Sequence, residues 1–186
     1  MKLSLSLFLI VLFLVGCGDK KERFVIAPGT SAAEARLGVD TIEVRDVSLP
    51  AYASASEIVL ADAKGALRPA PKAIWADDPP RAVTAALARS LDVKSSATVA
   101  VEPWPLTEEP AAELSVRIEQ MTARADGTFL MYGQFALSSP SGALRERLRR
   151  FSINVPMAES TPAAVATATG QAIDALADKV IAELKR

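Results

Sequence analysis

Three stretches of alternating apolar and polar residues in the second half of the chain constrain the fold more than any other feature. The apolar positions of these stretches begin in turn at Leu114, Phe129 and Phe151. A period of two residues is the pattern of a β-strand that buries one face. Turn residues separate the stretches, Ala-Asp-Gly at 125–127 and Ser-Ser-Pro-Ser-Gly at 138–142. The sequence therefore predicts an antiparallel meander over 113–155.

Two helical patterns flank the meander. The first covers 79–92 and has apolar residues three and four positions apart. Asp78 is its predicted N-cap, and a proline occupies the first helical position. The second begins after Thr161, also an N-cap, and carries an apolar stripe to Leu184. Gly170 interrupts this second helix and costs about 1 kcal/mol relative to alanine.

The remaining patterns predict shorter strands. A strand over 39–49 changes the parity of its apolar positions near Arg45 and Asp46, which indicates a bulge or a kink. Further strands are predicted at 23–27, 57–60, 67–75 and 99–101, of which 67–75 is broken and confined to a sheet edge by its prolines. The predicted fold class is α/β, a two-layer sandwich in which a mixed, mostly antiparallel sheet packs two helices on one face.

The N-terminal segment has the parts of a secretory signal. A basic start precedes an apolar run over 3–15, and the run ends in Leu-Val-Gly-Cys, which contains Cys17, the single cysteine of the chain. The run is too short for a membrane-spanning helix, which needs roughly 20 apolar residues. Leu-Val-Gly-Cys resembles the bacterial lipobox, which predicts a signal peptide over 1–16 and a diacylglycerol and an N-acyl lipid on Cys17. The alternative is an ordinary signal peptide or anchor that happens to contain a cysteine.

The boundaries that follow are an acylated cysteine and tether over 17–35 and a single domain over 36–186.

Composition limits what this domain does. The chain has 21 basic and 22 acidic side chains, a balance that argues against nucleic acid as a partner. It has no histidine, the commonest general base and metal ligand. Phosphate loops, nucleophile elbows and metal-ligand spacings are missing from the sequence as well. We therefore predict no enzyme, no metal and no cofactor beyond the lipid on Cys17.

Two groups of residues are candidates for contact with a partner. Trp75 and Asp77 precede the first helix, where the tryptophan is either an aromatic anchor for a partner or a core residue that braces the first helical turn. Arg145, Arg147 and Arg149 share one side of a predicted strand. They bind either an anionic headgroup or acidic partner, or line a solvated strand face.

An ordered set of short motifs carries a family resemblance. In chain order the motifs are Leu-Gly-Val-Asp-Thr-Ile-Glu-Val at 37–44, Val-Ser-Leu-Pro-Ala-Tyr at 47–52, Glu-Ile-Val-Leu at 57–60, Trp-Ala-Asp-Asp-Pro at 75–79 and Leu-Ala-Arg-Ser-Leu at 87–91. Over 37–184 this order resembles the ABC-type transport auxiliary lipoprotein family of the PqiC/YmbA type. The chain departs from the family pattern at Ala51, Ile74, Pro80 and 53–56.

The resemblance implies an auxiliary subunit of a transporter built from an MCE-domain protein, of the kind that moves lipids between bacterial membranes or maintains envelope integrity. It implies a fold similar to the small N-terminal domain of TolB, a membrane contact through the lipid anchor, and it leaves room for a homo-oligomer such as a ring. Gly18 in the second mature position favours the outer over the inner membrane, although Asp19 in the third weakens that preference. The alternatives are a lipid carrier with an apolar cavity, against which the alanine-rich helix faces argue, a periplasmic hydrolase, and an unrelated cell-wall lipoprotein.

Overall fold

Eight strands and three helices follow one another along the described part of the chain. The computed structural model describes residues 20–27, 35–142 and 144–185; the predicted signal peptide, Cys17 and part of the predicted tether lie outside these residues. The strands are β1 (Glu22–Phe24), β2 (Thr41–Val44), β3 (Glu57–Ala61), β4 (Leu67–Trp75), β5 (Thr98–Val101), β6 (Ala112–Ala123), β7 (Thr128–Ser138) and β8 (Arg147–Pro156). The helices are α1 (Ala51–Ser54), α2 (Pro79–Lys94) and α3 (Pro162–Leu184).

All eight strands form one mixed sheet. Its long pairings are antiparallel and join β3 to β4, β6 to β7 and β7 to β8. Shorter parallel pairings join β1 to β4, β5 to β2, and both β2 and β3 to β6. The two long helices pack against each other and bury their apolar stripes together with one face of the sheet. This arrangement confirms the predicted two-layer α/β fold, and the four-residue α1 is an addition that the sequence did not predict.

The meander of β6, β7 and β8 has the predicted strand order and parity. Phe129, Met131, Phe135 and Leu137 of β7 are all buried, while the residues between them on the other face are half-buried. One irregularity interrupts the hairpin, because the register between β6 and β7 shifts between Ile118 and Gln120. Gly133 lies at this point, where an added Cβ would come within 3.0 Å of the Arg117 backbone. Glycine therefore permits the close approach of the two strands.

The predicted bulge near Arg45 is confirmed by the hydrogen bonds that follow β2. The Arg45 amide donates to the Leu114 carbonyl, and the Ser48 amide donates to the Val116 carbonyl. Three residue steps of this segment therefore oppose two steps of β6. The extra residue changes the parity of the segment, so that Val44 and Val47 both point into the core.

The β4 strand explains how β1 joins the sheet. Val59 of β3 is opposite Pro69, but Glu57 is opposite Ile74, so the two strands part in between, where Lys72 has a positive φ of 58°. The last three residues of β4 pair with β1 on their other side. β4 is thus broken as predicted, although its second half is covered. β1 falls within the segment predicted as tether, where a short strand was also expected, and so the sheet begins before position 36.

Both predicted N-caps are confirmed. The Asp78 carboxylate accepts a hydrogen bond from the Arg81 amide, and the Thr161 hydroxyl accepts one from the Ala164 amide. The break in helical propensity at Gly170 has a packing reason, because an added Cβ would lie within 3.0 Å of the Ala27 carbonyl oxygen. The chain that leaves β1 therefore crosses α3 in direct contact with its backbone.

A buried lysine joins the two long helices. The Lys94 side chain is 3% exposed, and its Nζ lies 2.7 Å from Oδ2 of Asp174 and 2.9 Å from Oδ1 of Asp178. The Ser90 hydroxyl donates to the other oxygen of Asp174. Burial lowers the pKa of Lys94, but the hydrogen bonds to Asp174 and Asp178 together with the negative charges of these residues outweigh burial, and the pKa is raised. The helical pattern alone gave no indication of this interhelical cluster.

Candidate functional site

Trp75 and Asp77 lie where β4 ends and α2 begins. The Trp75 side chain is buried, which is the packing role that the sequence offered as one of two interpretations. Asp77 forms an ion pair with Arg81 one turn along the chain. The hydrogen bond from Arg81 lowers the pKa of Asp77, and the backbone amide of Asp78 acts in the same direction. Contact of either residue with a partner stays a prediction.

An apolar hollow of about 350 Å³ opens beside Trp75. One wall is the segment that continues from β1, and the other is the small-residue face of α2. The lining residues are Phe24, Val25, Ile26, Trp75, Ala82, Ala85 and Ala86, with Asp77 and Arg89 as its charged members. The alanines of α2 leave this space because they are too short to reach the wall opposite, so the hollow is a consequence of the alanine-rich face.

The predicted arginine cluster lies on and before β8. Arg147 donates to the backbone carbonyl of Glu183 in α3, and its Nη1 lies 3.6 Å from that residue's carboxylate. The Nε of Arg149 lies 3.1 Å from the same carboxylate oxygen. Arg145 precedes the strand and is exposed. One carboxylate thus faces two guanidinium groups, and the cluster keeps a net positive charge.

The structure does not bring the two predicted groups together. In the sheet, β3, β6 and β7 separate β4 from β8. Helix α3 gives a scale for the separation, because the N-terminal segment crosses it at Gly170 and the arginines contact it at Glu183. Thirteen helical residues span about 20 Å. The Trp75 hollow and the arginine cluster are therefore two separate surfaces.

A second charged cluster, which the sequence did not indicate, lies on the sheet face away from the helices. The Arg45 guanidinium is 2.9 Å from Glu113, 3.7 Å from Glu102 and 4.0 Å from the buried Glu43. The hydrogen bond to Glu113 raises the pKa of Arg45. Residues far apart in the chain meet here only because β2, β5 and β6 are neighbours, so no local motif signals the cluster.

Two general findings limit the chemistry of the described part of the chain. None of its clusters of acidic residues has the arrangement of three or more ligands that would hold a metal ion. None of its helices is long and apolar enough to cross a membrane. The charged clusters are instead ion pairs in which each carboxylate faces a lysine or an arginine.

The family to which the chain belongs follows from a match over almost the whole domain. The family model of the ABC-type transport auxiliary lipoprotein component matches residues 24–181. The chain belongs to this family. The resemblance seen in the ordered motifs is thereby confirmed, and the match begins at Phe24, inside β1.

Solved structures support the fold. A Xanthomonas campestris protein of the DUF330 family superposes with a TM-score of 0.70 at 18% identity, covering 88% of this chain and 94% of its own. An uncharacterized protein superposes with a TM-score of 0.66 at 15% identity, covering 82% of this chain and 99% of its own. At these identities the likeness shows the fold alone. No curated protein matches the sequence.

As a member of this family, the protein is a lipoprotein of the cell envelope and an auxiliary component that works with a transport system. The family is not a known enzyme family.

Proposed function

We propose that the protein is a non-catalytic periplasmic subunit of an MCE-type lipid transport or membrane-integrity system. In this role it docks the periplasmic component of the transporter at a membrane, the outer one in preference to the inner. The observation that carries the proposal is the family match, which runs from the last residue of β1 through all the other strands to within three residues of the end of α3. Family membership states an envelope lipoprotein that works with a transport system. The MCE partner, the choice of membrane and the lack of catalysis are what we propose in addition.

The charge arrangement supports a role without catalysis. Histidine is absent from the chain. The adjacent carboxylates of Asp77 and Asp78, which could suggest a catalytic pair, are held in other roles, since Asp78 caps α2 and Asp77 pairs with Arg81. A general acid or base needs a pKa near the working pH, whereas the pKa of Asp77 is lowered. These side chains stabilise the fold and are not poised for proton transfer.

The arginine cluster supports a docking role. Arg145 and Arg149 are exposed, and Arg149 shares the Glu183 carboxylate with Arg147, so positive charge remains for an acidic surface. Guanidinium groups at a protein interface pair bidentately with carboxylates and are frequent hot spots. We therefore assign the contact with the MCE-domain protein to this cluster.

Co-purification of the acylated full-length protein from its own membranes tests the proposal. We expect an MCE-domain protein at near-stoichiometric yield, and loss of that partner when Arg145 and Arg149 are both changed to glutamate. Arg150→Glu is the matched control, because Arg150 lies on the same strand with the opposite parity. Purification without an MCE-domain protein contradicts the proposal. Equal loss in the control contradicts the assignment of the contact.

A second candidate function, a lipid carrier, is favoured by the hollow beside Trp75. Its volume of about 350 Å³ is within the range of small-ligand sites, about 300–1,000 Å³. Deeper in the described core, the gap that Trp75 shares with Met121 and Phe129 measures only about 20 Å³, which is too small for a lipid. Mass spectrometry of lipids extracted from the purified protein distinguishes the candidates. Stoichiometric phospholipid without a protein partner favours the carrier.

A further inference from the structure

The start of the sheet fixes which part of the domain is nearest to the lipid anchor. Glu22, the first residue of β1, is the fifth residue after Cys17. Five fully extended residues span at most about 18 Å. The acyl chains that the proposed function places on Cys17 therefore hold β1 close to the membrane, whatever path the intervening residues take.

The described residues nearest to the anchor are rich in positive charge. Lys20, Lys21 and Arg23 are exposed, and Glu22 is the single acidic residue among positions 20–27. Because Glu22 is opposite Ala73, the exposed Lys72 of β4 is in register with Lys21. Cations of both strands thus lie at one edge of the sheet. Basic side chains at this distance from a bilayer are attracted to the anionic headgroups of its surface.

An exposed apolar side chain belongs to the same edge. Val25 follows β1 directly and is 69% exposed, while its neighbours Phe24 and Ile26 are half-buried in the wall of the hollow. An exposed apolar residue that follows a group of cations is typical of a surface that lies at the boundary of headgroups and acyl chains.

We propose that this edge, which consists of residues 20–26 together with Lys72, is the surface on which the domain sits against the bilayer. Lys20, Lys21, Arg23 and Lys72 contact the headgroups of anionic phospholipids, and Val25 enters the interface. The proposal rests on the lipid anchor of the proposed function. The arginines of β8 do not compete for this role, because about 20 Å of α3 separates Glu183 from the crossing of the N-terminal segment at Gly170.

Fluorescence quenching in vesicles tests the proposal. Cys17 is the single cysteine and is blocked by acylation, so one introduced cysteine carries a unique fluorophore. The labelled positions are Val25→Cys and Lys21→Cys at the proposed edge, and Asn154→Cys on β8 as the matched control. The full-length acylated protein is reconstituted in vesicles of phosphatidylethanolamine and phosphatidylglycerol that contain headgroup-quencher lipids. We expect loss of fluorescence at positions 25 and 21 and its retention at 154. Equal loss at all three positions, or loss confined to 154, overturns the proposal.

A charge variant tests the electrostatic part. Each cation raises the ratio of domains in contact with an anionic bilayer to domains away from it by about fivefold. Lys20→Glu with Lys21→Glu therefore reduces this ratio by about 25-fold or more. The control pair Arg150→Glu with Lys185→Glu, two exposed cations outside both the proposed edge and the arginine cluster, leaves quenching at position 25 unchanged. Equal effects of both pairs overturn the proposal. The mass of the N-terminal peptide distinguishes failure of this proposal from failure of the proposed function. An unmodified Cys17 overturns the lipid anchor and with it both proposals. An acylated protein that shows no quenching at position 25 overturns only the proposed membrane-facing edge.

Discussion

The buried cluster between α2 and α3 allows a prediction in which two neighbouring aspartates behave differently. Asp174 and Asp178 both lie within 3 Å of the Lys94 ammonium, at 2.7 and 2.9 Å. The Asp174 side chain is only 16% exposed and also accepts a hydrogen bond from Ser90, whereas Asp178 is 59% exposed. The two ion pairs have nearly the same length but differ in how far water screens them.

We expect Asp174→Ala to lower the free energy of unfolding by about 3 kcal/mol. Removing one partner of a buried ion pair costs about 3–5 kcal/mol, because a buried charge is left without compensation. Asp178 remains beside Lys94 and keeps the loss at the lower end of that range. Asp178→Ala removes a largely exposed partner, and exposed pairs contribute about 0–1 kcal/mol.

Urea unfolding of the full-length protein in detergent, followed by the fluorescence of its two tryptophans, measures both changes. The decisive quantity is the difference between the two alanine variants, since both remove one carboxylate from the same helix. Equal losses would refute the reasoning, because burial would then not decide the strength of the pair. A larger loss for Asp178→Ala would refute it as well.

Three further predictions concern single features of the helices. Gly170→Ala improves helix propensity by about 1 kcal/mol, yet we expect it to lower the melting temperature, because its Cβ would displace the Ala27 carbonyl; a higher melting temperature contradicts the close contact. The pKa of Lys94 is raised in the folded protein above its usual value of about 10.5. The contribution of the Lys94 charge to stability is therefore complete below the unfolded-state pKa and is lost as the pH rises through the folded-state pKa. The melting temperature of the natural protein therefore falls more steeply in strong alkali than that of Lys94→Met, and parallel curves contradict this prediction. Asp78→Ala removes the N-cap of α2 and lowers the free energy of unfolding by about 1 kcal/mol, measured by urea unfolding, while Asp78→Asn, which also caps, loses less.

Local patterns predicted the elements of the fold because each pattern states which face of its own element is buried. The alternation from Phe129 to Leu137, the caps at Asp78 and Thr161 and the bulge after Val44 are of this kind. The order of the strands is not, because pairing depends on contacts between distant parts of the chain. The parallel pairs of β2 with β5 and of β1 with β4 therefore emerge only from the structure.

The candidate site could be predicted only in part, for the same reason. The arginines of β8 are visible in sequence as a cluster, but Glu183, which holds two of them, is more than thirty positions away. Likewise, Lys94 looks like an ordinary basic residue in the last turn of a helix, and its burial follows from how closely α2 and α3 pack. Charge pairs across elements are a tertiary property, so sequence reasoning finds one partner and not the other.

The β8 strand affects how neighbouring copies of the protein on one membrane interact with each other. In the described sheet β8 pairs only with β7, so ten residues present an unpaired edge. Such an edge is a template for aggregation, and lipid anchoring concentrates the copies in two dimensions. Arg147, Arg149 and Arg150 place positive charge on both faces of this edge, so two copies that approach edge to edge repel each other. Arg147 and Arg149, which belong to the cluster that we assign to a partner, therefore also oppose the pairing of neighbouring copies through β8.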